Sequence, residues 1–236
     1  MKTTSDHVEN VALLRRVAFL QGISDTTLST LATRAVRRRF ARGEPICREG
    51  QSCAGVWIVV QGAIQGIKIS GKGRLQVLET ASAAGTCSLA SSLDGGSCPM
   101  RTEAQRDSTL LLVPQAALLE AVAADPALGL ALARHLGERL RGLACQVVSL
   151  GLRDVRTRVA AFLLDEAARR GVRAPDGSTR LQLPCSQGEL ARRLGTGREV
   201  VARALRSLRQ EGLIEQARSR VSIPDLARLR ALTDSA

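Results

Sequence analysis

The chain has 236 residues and a net charge of +12, with three phenylalanines, one tryptophan and no tyrosine. That length suits two domains better than one, and their cores must be filled by Leu, Val and Ala. No apolar run reaches membrane-spanning length and no signal peptide opens the chain, which argues against a membrane protein and points to the cytoplasm.

Residues 1–9 are polar and read as a frayed start. Residues 11–16 and 24–35 read as short helices, the second begun by Ser24 with Asp25 behind it. The run Arg37-Arg38-Arg39-Phe40-Ala41-Arg42 reads as a solvated edge before a strand. From Glu44 to Val113 the pattern is one of short strands. Turn signals stand at Gly43-Glu44, Glu49-Gly50, Gly62, Gly71-Lys72-Gly73 and Asp94-Gly95-Gly96. Between them lie apolar runs at 56–60, 64–69, 75–78 and 110–113, as in a β-barrel or sandwich that Pro114 ends.

Residues 116–124 predict a short helix and 126–150 a long one, capped by Asp125 with Pro126 in its first turn. Leu136, Leu140, Leu143, Val147 and Leu150 recur at spacings of four and three, the seam of a two-stranded coiled coil. We read it as a homodimer seam rather than a face packed on its own domain. His135 beside it is a surface or packing residue rather than a ligand.

Gly151 breaks the pattern, and residues 151–154 form a natural hinge. Residues 155–170 predict an amphipathic helix with Val159, Phe162 and Leu163 on its core face. A polar loop follows at 171–179, then a short strand at 181–183. Ser186 with Glu189 is a capping box opening a helix, Gly195 supplies a turn, and Thr196 with Glu199 offers a second capping box. Val201, Leu205 and Leu208 then line one face; Arg198, Glu199, Ala202, Arg203 and Arg206 line the other. This is a helix-turn-helix with an arginine-rich edge. Residues 213–214 and 221–223 flank a hairpin wing over 215–220, whose basic tip carries Arg218 and Arg220; residues 226–232 suit a last helix. Residues 151–236 hold 17 Arg against 10 Asp and Glu, a denser positive excess than in residues 1–150, as phosphate binding requires.

The predicted class is therefore α+β, in three parts: a strand-rich sensor at 1–124, a dimerisation helix at 125–150 and a winged helix at 151–236. This order resembles the CRP/FNR superfamily of bacterial transcription regulators over essentially the whole chain. The resemblance rests on Phe40-x-x-Gly43-Glu44, Glu49-Gly50, Ile58-x-x-x-Gly62, Leu93-Asp94-Gly95-Gly96 and Leu152-Arg153-Asp154-Val155-x-x-Arg158. Its most specific part is Gln187-x-Glu189-Leu190-Ala191 through Gly195-x-x-Arg198-Glu199-x-Val201-x-Arg203.

The resemblance implies a cyclic-nucleotide-binding β-roll, in which a Gly-Glu pair meets the ribose and an arginine the cyclic phosphate. Counted without gaps, that pair falls on Ser88 and Leu89, and the arginine on Cys98 with Pro99 and Met100 as neighbours. Both polar anchors are missing, so cyclic AMP is not expected to bind. Arg101 is the one cation nearby, and strand alternation should turn it to the opposite face. Cys87, Leu89, Cys98 and Met100 would make the pocket apolar and sulfur-rich. A different ligand, thiol redox chemistry, a soft metal between Cys87 and Cys98, or plain buried packing all stay open. No cysteine precedes Cys47, which speaks against an FNR-type iron–sulfur cluster; haem stays open but finds poor support in His7 and His135. The six cysteines form no C-x-x-C pair, and no metal site is assigned. A regulator that needs no effector also stays open.

On DNA, the second helix would enter the major groove. Arg198 and Arg203 would donate to guanine, Glu199 would accept from cytosine, and Ser186 and Gln187 would meet phosphate. The resemblance implies an inverted pair of TGTGA-like half-sites in double-stranded DNA, a homodimer, and RNA polymerase as a partner. The competing reading is a thiol- or metal-responsive sensor acting through protein contacts. An enzyme is disfavoured: there is no Walker lysine loop, no G-x-S-x-G and no H-E-x-x-H.

Overall fold

The computed structural model describes residues 4–71, 73 and 75–234, so Lys72 of the predicted turn and the first three residues lie outside them. The chain divides into two units, Met1–Arg141 and Gly142–Ala236.

The first unit opens with α1 (Thr4–Leu14) and α2 (Asp25–Arg34) around a short 3-10 turn at Ala18–Leu20. The expected frayed start is helix from Thr4 onward. Its polar residues are used: His7 Nε2 lies 3.1 Å from the Ser29 hydroxyl, while Leu13 and Leu14 are buried. Ser24 caps α2 as its sequence predicts, accepting from the Thr27 amide.

Eight strands follow: β1 (Val36–Phe40), β2 (Pro45–Cys47), β3 (Gly55–Gln61), β4 (Ala63–Ile69), β5 (Leu75–Ser82), β6 (Thr86–Cys87), β7 (Arg101–Ala104) and β8 (Ser108–Pro114). They form two four-stranded sheets, ordered β1-β8-β3-β6 and β2-β7-β4-β5. The basic run at Arg37–Arg39 is not an edge before a strand but the outer strand itself, paired antiparallel with β8. Charged side chains suit an edge strand, because they oppose pairing with another chain. Arg37 is held there by Asn10 at 2.8 Å and Glu9 at 2.9 Å.

Alternation along β3 shows how the unit is filled. Val56 and Ile58 face a core shared with α1 and α2, whereas Trp57 and Val59 face the interior of the roll. Both faces are buried, so the strand reads as one apolar run. Phe40 meets Trp57 edge-on at 5.4 Å inside the roll. Four of the other residues in that interior are Cys47, Cys53, Cys87 and Cys98.

A short helix the sequence reading missed, α3 (Leu89–Asp94), sits between β6 and β7. After β8 come α4 (Gln115–Ala124) and α5 (Pro126–Leu152). Asp125 accepts from the Ala127 amide at 3.0 Å and from the Thr27 hydroxyl at 2.7 Å, fixing the start of α5 to α2. Leu128 and Leu132 are buried; from Leu140 onward the seam residues are exposed. Gly151 does not break α5, which runs through it to Leu152. Asp154 starts the next helix instead, by accepting from the Thr157 amide at 2.7 Å.

The second unit comprises α6 (Val155–Arg170), β9 (Val172–Arg173), β10 (Thr179–Gln182), α7 (Gln187–Arg193), α8 (Arg198–Gln210), β11 (Glu215–Ala217), β12 (Arg220–Ile223) and α9 (Leu226–Asp234). The expected loop at 171–179 thus begins with a two-residue strand, and the four strands form one sheet ordered β11-β12-β10-β9. Its core joins Val159 and Leu163 of α6 to Leu190, Val201, Leu205 and Leu208, with Ile223 and Leu229 behind. Among the described residues no single helix is long and apolar enough to cross a membrane.

Candidate DNA-reading surface and effector cavity

The reading surface begins at Ser186, whose hydroxyl accepts from the Glu189 amide at 3.2 Å and so fixes the first residue of α7. Glu189 lies 3.5 Å from Arg193, one turn on. The turn between α7 and α8 is set by Gly195 at φ +65°, a conformation that costs a side-chain residue energy, and by the Thr196 amide donating to the Ala191 carbonyl at 3.0 Å. The second capping box does not form. Gly197, not Thr196, precedes α8 and makes no side-chain cap. Because α8 starts one residue later than that box requires, Glu199 lies in its first turn with its carboxylate turned to solvent.

Helix α8 is sharply two-faced. Val201, Ala204, Leu205 and Leu208 are buried; Arg198, Glu199, Arg203 and Arg206 are exposed. Among the described residues, Arg198, Glu199 and Arg203 have neither an ion-pair nor a hydrogen-bonding partner, so their charges face water. An ion pair between Arg156 and Glu211 ties the start of α6 to the end of α8 and steadies the helix that carries them. Beyond α8, β11 and β12 form the wing hairpin, with Arg218 in a left-handed turn at φ +54° and Arg220 exposed beside it. Gln187 is half-buried at the start of α7 and Ser186 is exposed.

In the first unit a cavity of about 90 Å³ lies between β6, α3, the loop before β7 and the middle of α5. Six of the seven expected pocket residues line it: Cys87, Ser88, Leu89, Cys98, Pro99 and Met100. Arg101 is not among its lining residues: Cys98 to Met100 lie in the loop before β7 rather than on its strand, and Arg101, which opens β7, pairs with Glu103 at 2.8 Å while the next residue, Thr102, lines the cavity. Ser88 adopts φ +64°, the left-handed conformation that favours glycine, which is the residue the family pattern puts there.

Of the lining residues not foreseen, three come from distant elements: Glu79 of β5, and Leu136 and Arg139 of α5. Arg139 forms an ion pair with Glu79. No local signal marks this pair, because its partners are sixty residues apart. Leu136, the first residue of the expected seam, is instead partly buried against the core of this unit.

Cys87 and Cys98, the expected thiol pair, both line this cavity. Cys47 and Cys53 are buried with them in the interior of the roll. Cys47 lies 3.3 Å from the Ser88 hydroxyl, and Cys53 lies 3.2 Å from the Ser92 hydroxyl and 3.3 Å from the Gly55 carbonyl. Burial, reinforced by the neighbouring thiols, pushes the Cys98 thiol up to about 12 and that of Cys87 well above the ordinary range. Cys145 is exposed and Cys185 half-buried. His135 packs on Phe19 at 5.3 Å, and its burial lowers its basicity. Among the described residues no group of three or more His, Cys, Asp or Glu is arranged to hold a metal ion.

The cavity does not fit a cyclic nucleotide. It is well below the roughly 300–1,000 Å³ of ordinary ligand sites. An apolar Leu89 stands where a ribose hydroxyl would need an acceptor, and a neutral thiol stands where the phosphate would need a cation. Arg139 is the cation at hand, and Glu79 already neutralises it.

Comparison with known proteins agrees with this architecture. Residues 37–125 match the cyclic nucleotide-binding domain, and residues 157–232 match the Crp-like helix-turn-helix domain. The nitrogen fixation regulation protein FixK of Azorhizobium caulinodans is 31% identical over 214 residues, covering 87% of this chain and 81% of that one. The chain belongs to the CRP/FNR family of DNA-binding transcription regulators. Another family member, the CRP-like cAMP-activated global transcriptional regulator of Mycobacterium tuberculosis, is 26% identical over 217 residues, 92% of this chain and 96% of its own. The solved structure of FixK2 from Bradyrhizobium japonicum superposes with a TM-score of 0.70 at 26% identity, covering 84% of this chain and 96% of that one. Within the CRP/FNR frame, the roll, long helix and winged helix described above account for the whole described chain.

Proposed function

We propose that this chain is a homodimeric, sequence-specific transcription regulator of the cytoplasm. It reads an inverted pair of half-sites, and its roll does not use cyclic AMP. The observation that carries the reading is the row of Arg198, Glu199 and Arg203 on α8, exposed and without partners, backed by a buried Val201–Leu205–Leu208 face. Charges left unpaired on a rigid helix are ready to meet a counterpart without first breaking an internal bond.

In the groove, Arg198 and Arg203 donate to guanine O6 and N7, and Glu199 accepts from cytosine N4. The missing Thr196 cap supports the base-reading role of Glu199, since that carboxylate has no competing duty at the helix start. Ser186 and Gln187 at the head of α7, and Arg218 and Arg220 on the wing, fix the register on phosphates. Two copies are joined along the exposed part of α5, which sets the spacing of the reading helices. RNA polymerase is the partner through which binding changes transcription.

The test is selection of binding sites from random duplexes with the wild type and with Arg198→Ala. The wild type should return a palindrome. The variant should lose ~1–3 kcal/mol and become indifferent at one position per half-site. Uniform weakening on every sequence would make Arg198 a phosphate contact and refute its assignment as a reader.

A further inference from the structure

Two opposite charges line the cavity, and they come from elements sixty residues apart: Glu79 on β5 and Arg139 on α5. We infer that this ion pair is a built-in latch that takes the place of an effector. It fixes α5 against the roll in the setting that binds DNA, so the dimer is competent without a small molecule; this rests on the reading of the chain as a DNA-binding dimer.

The seat of Glu79 is shaped for the pair. Glu79 lies opposite Gly66 of β4 in the ladder, where an added Cβ would come within 2.8 Å of the Glu79 Cγ and 2.5 Å of the Met100 sulfur. The missing side chain at Gly66 lets the acidic side chain and the thioether lie over that strand. Only 19% of the Glu79 side chain is exposed, so its pair with Arg139 keeps more strength than one out in water. Removing either partner would leave the other charge poorly solvated.

Arg139 sits where α5 passes from the roll to the seam. Leu136 packs on the core of this unit, and Leu140, the residue after Arg139, is exposed. Arg139 lies three positions from Leu136 and four from Leu143, so it shares the face on which the seam begins. Holding that face on the roll fixes the rotation of α5 about its axis at the point where the seam becomes available to a second copy. The helix then continues unbroken to Leu152.

The cavity itself sets the sign. At about 90 Å³ it does not admit a nucleotide, and the two charged residues among its lining satisfy each other. A ligand shifts an equilibrium only through its differential contacts with the two states, and here a contact within the chain supplies that bias permanently. The latched state is therefore the working state, and opening it weakens DNA binding.

The experiment uses the full-length protein, dialysed free of metabolites, and the palindrome returned by site selection. Fluorescence anisotropy gives the dissociation constant for the wild type, Glu79→Gln, Arg139→Gln and the double variant, each checked for a cooperative melt. The wild type should bind with nothing added. Each single variant should bind at least about fivefold more weakly. The double variant should bind no more weakly than the worse single one, since either change opens the same latch. Hydrogen exchange without DNA should quicken over residues 136–143 in all three variants, which loss of an idle surface pair would not cause. Undiminished or tighter DNA binding by the single variants, additive losses, unchanged exchange, or a wild type that binds only with an added metabolite would each overturn the latch and leave the operator reading standing. A wild type that ignores every duplex would sink both.

Discussion

Replacing Leu140 by glutamate tests the dimer seam where the chain can bear the change. In the single chain Leu140 is 69% exposed and Val147 equally so, while Leu143 and Leu150 are 49% and 45% exposed. A fully buried leucine stabilises by about 2 kcal/mol, so covering the exposed share of Leu140 is worth roughly 1.4 kcal/mol per copy. Twofold symmetry removes it twice, a loss of about 3 kcal/mol, or about a hundredfold in dimer dissociation constant. Desolvating the two carboxylates adds to that loss. The fold should survive, because substitutions at exposed helix positions cost little. Sedimentation velocity over a concentration series reads the outcome: the variant should shift to monomer where the wild type is dimer, with unchanged far-ultraviolet circular dichroism. Identical mass at every concentration would place the dimer contact elsewhere and undo the reading of α5.

Cyclic AMP titrated calorimetrically into the protein should give no saturable heat at micromolar concentrations; a low-micromolar isotherm would mean that Glu79 yields Arg139 to the phosphate. Asp154→Ala should destabilise the second unit by about 1 kcal/mol through loss of a helix cap, read by urea unfolding. The Thr157 amide holds the Asp154 carboxyl below its usual range, so its contribution is present above about pH 4 and is lost as pH falls through the lowered folded value. Asp154→Asn, which keeps an acceptor, should flatten that part of the pH profile; an unchanged acid limb would refute the assignment. Gly62→Ala should cost about 2–4 kcal/mol, from a left-handed backbone and overpacking. Gly62 has φ +103°, and an added Cβ would lie 2.7 Å from the Ser108 Cα. A melting temperature within a degree of wild type would show that the β4 entry can shift to absorb the methyl.

The arginine edge of α8, the long helix α5 and the caps at Ser24, Asp125 and Ser186 were legible in the sequence. All depend on residues within a few positions of each other, where helical geometry alone fixes who meets whom. The same local logic misplaced the second cap by one residue, because Thr196 and Gly197 are both plausible starts and packing of Val201 and Leu205 chose between them. It also took β1 for a solvated run, since three successive arginines carry no strand period. Only pairing with β8 and anchoring by Asn10 and Glu9 make them a strand.

The cavity is the opposite case. Its missing anchors at Leu89 and Cys98 were determined by residue identity, and Ser88 at positive φ agrees with the alignment that exposed them. What fills and flanks it was decided by the tertiary structure. Glu79 meets Arg139 across sixty residues, and Cys47 approaches Ser88 across forty-one. Contacts of that reach leave no trace in periodicity, because they arise only when sheets close and a helix is laid over them.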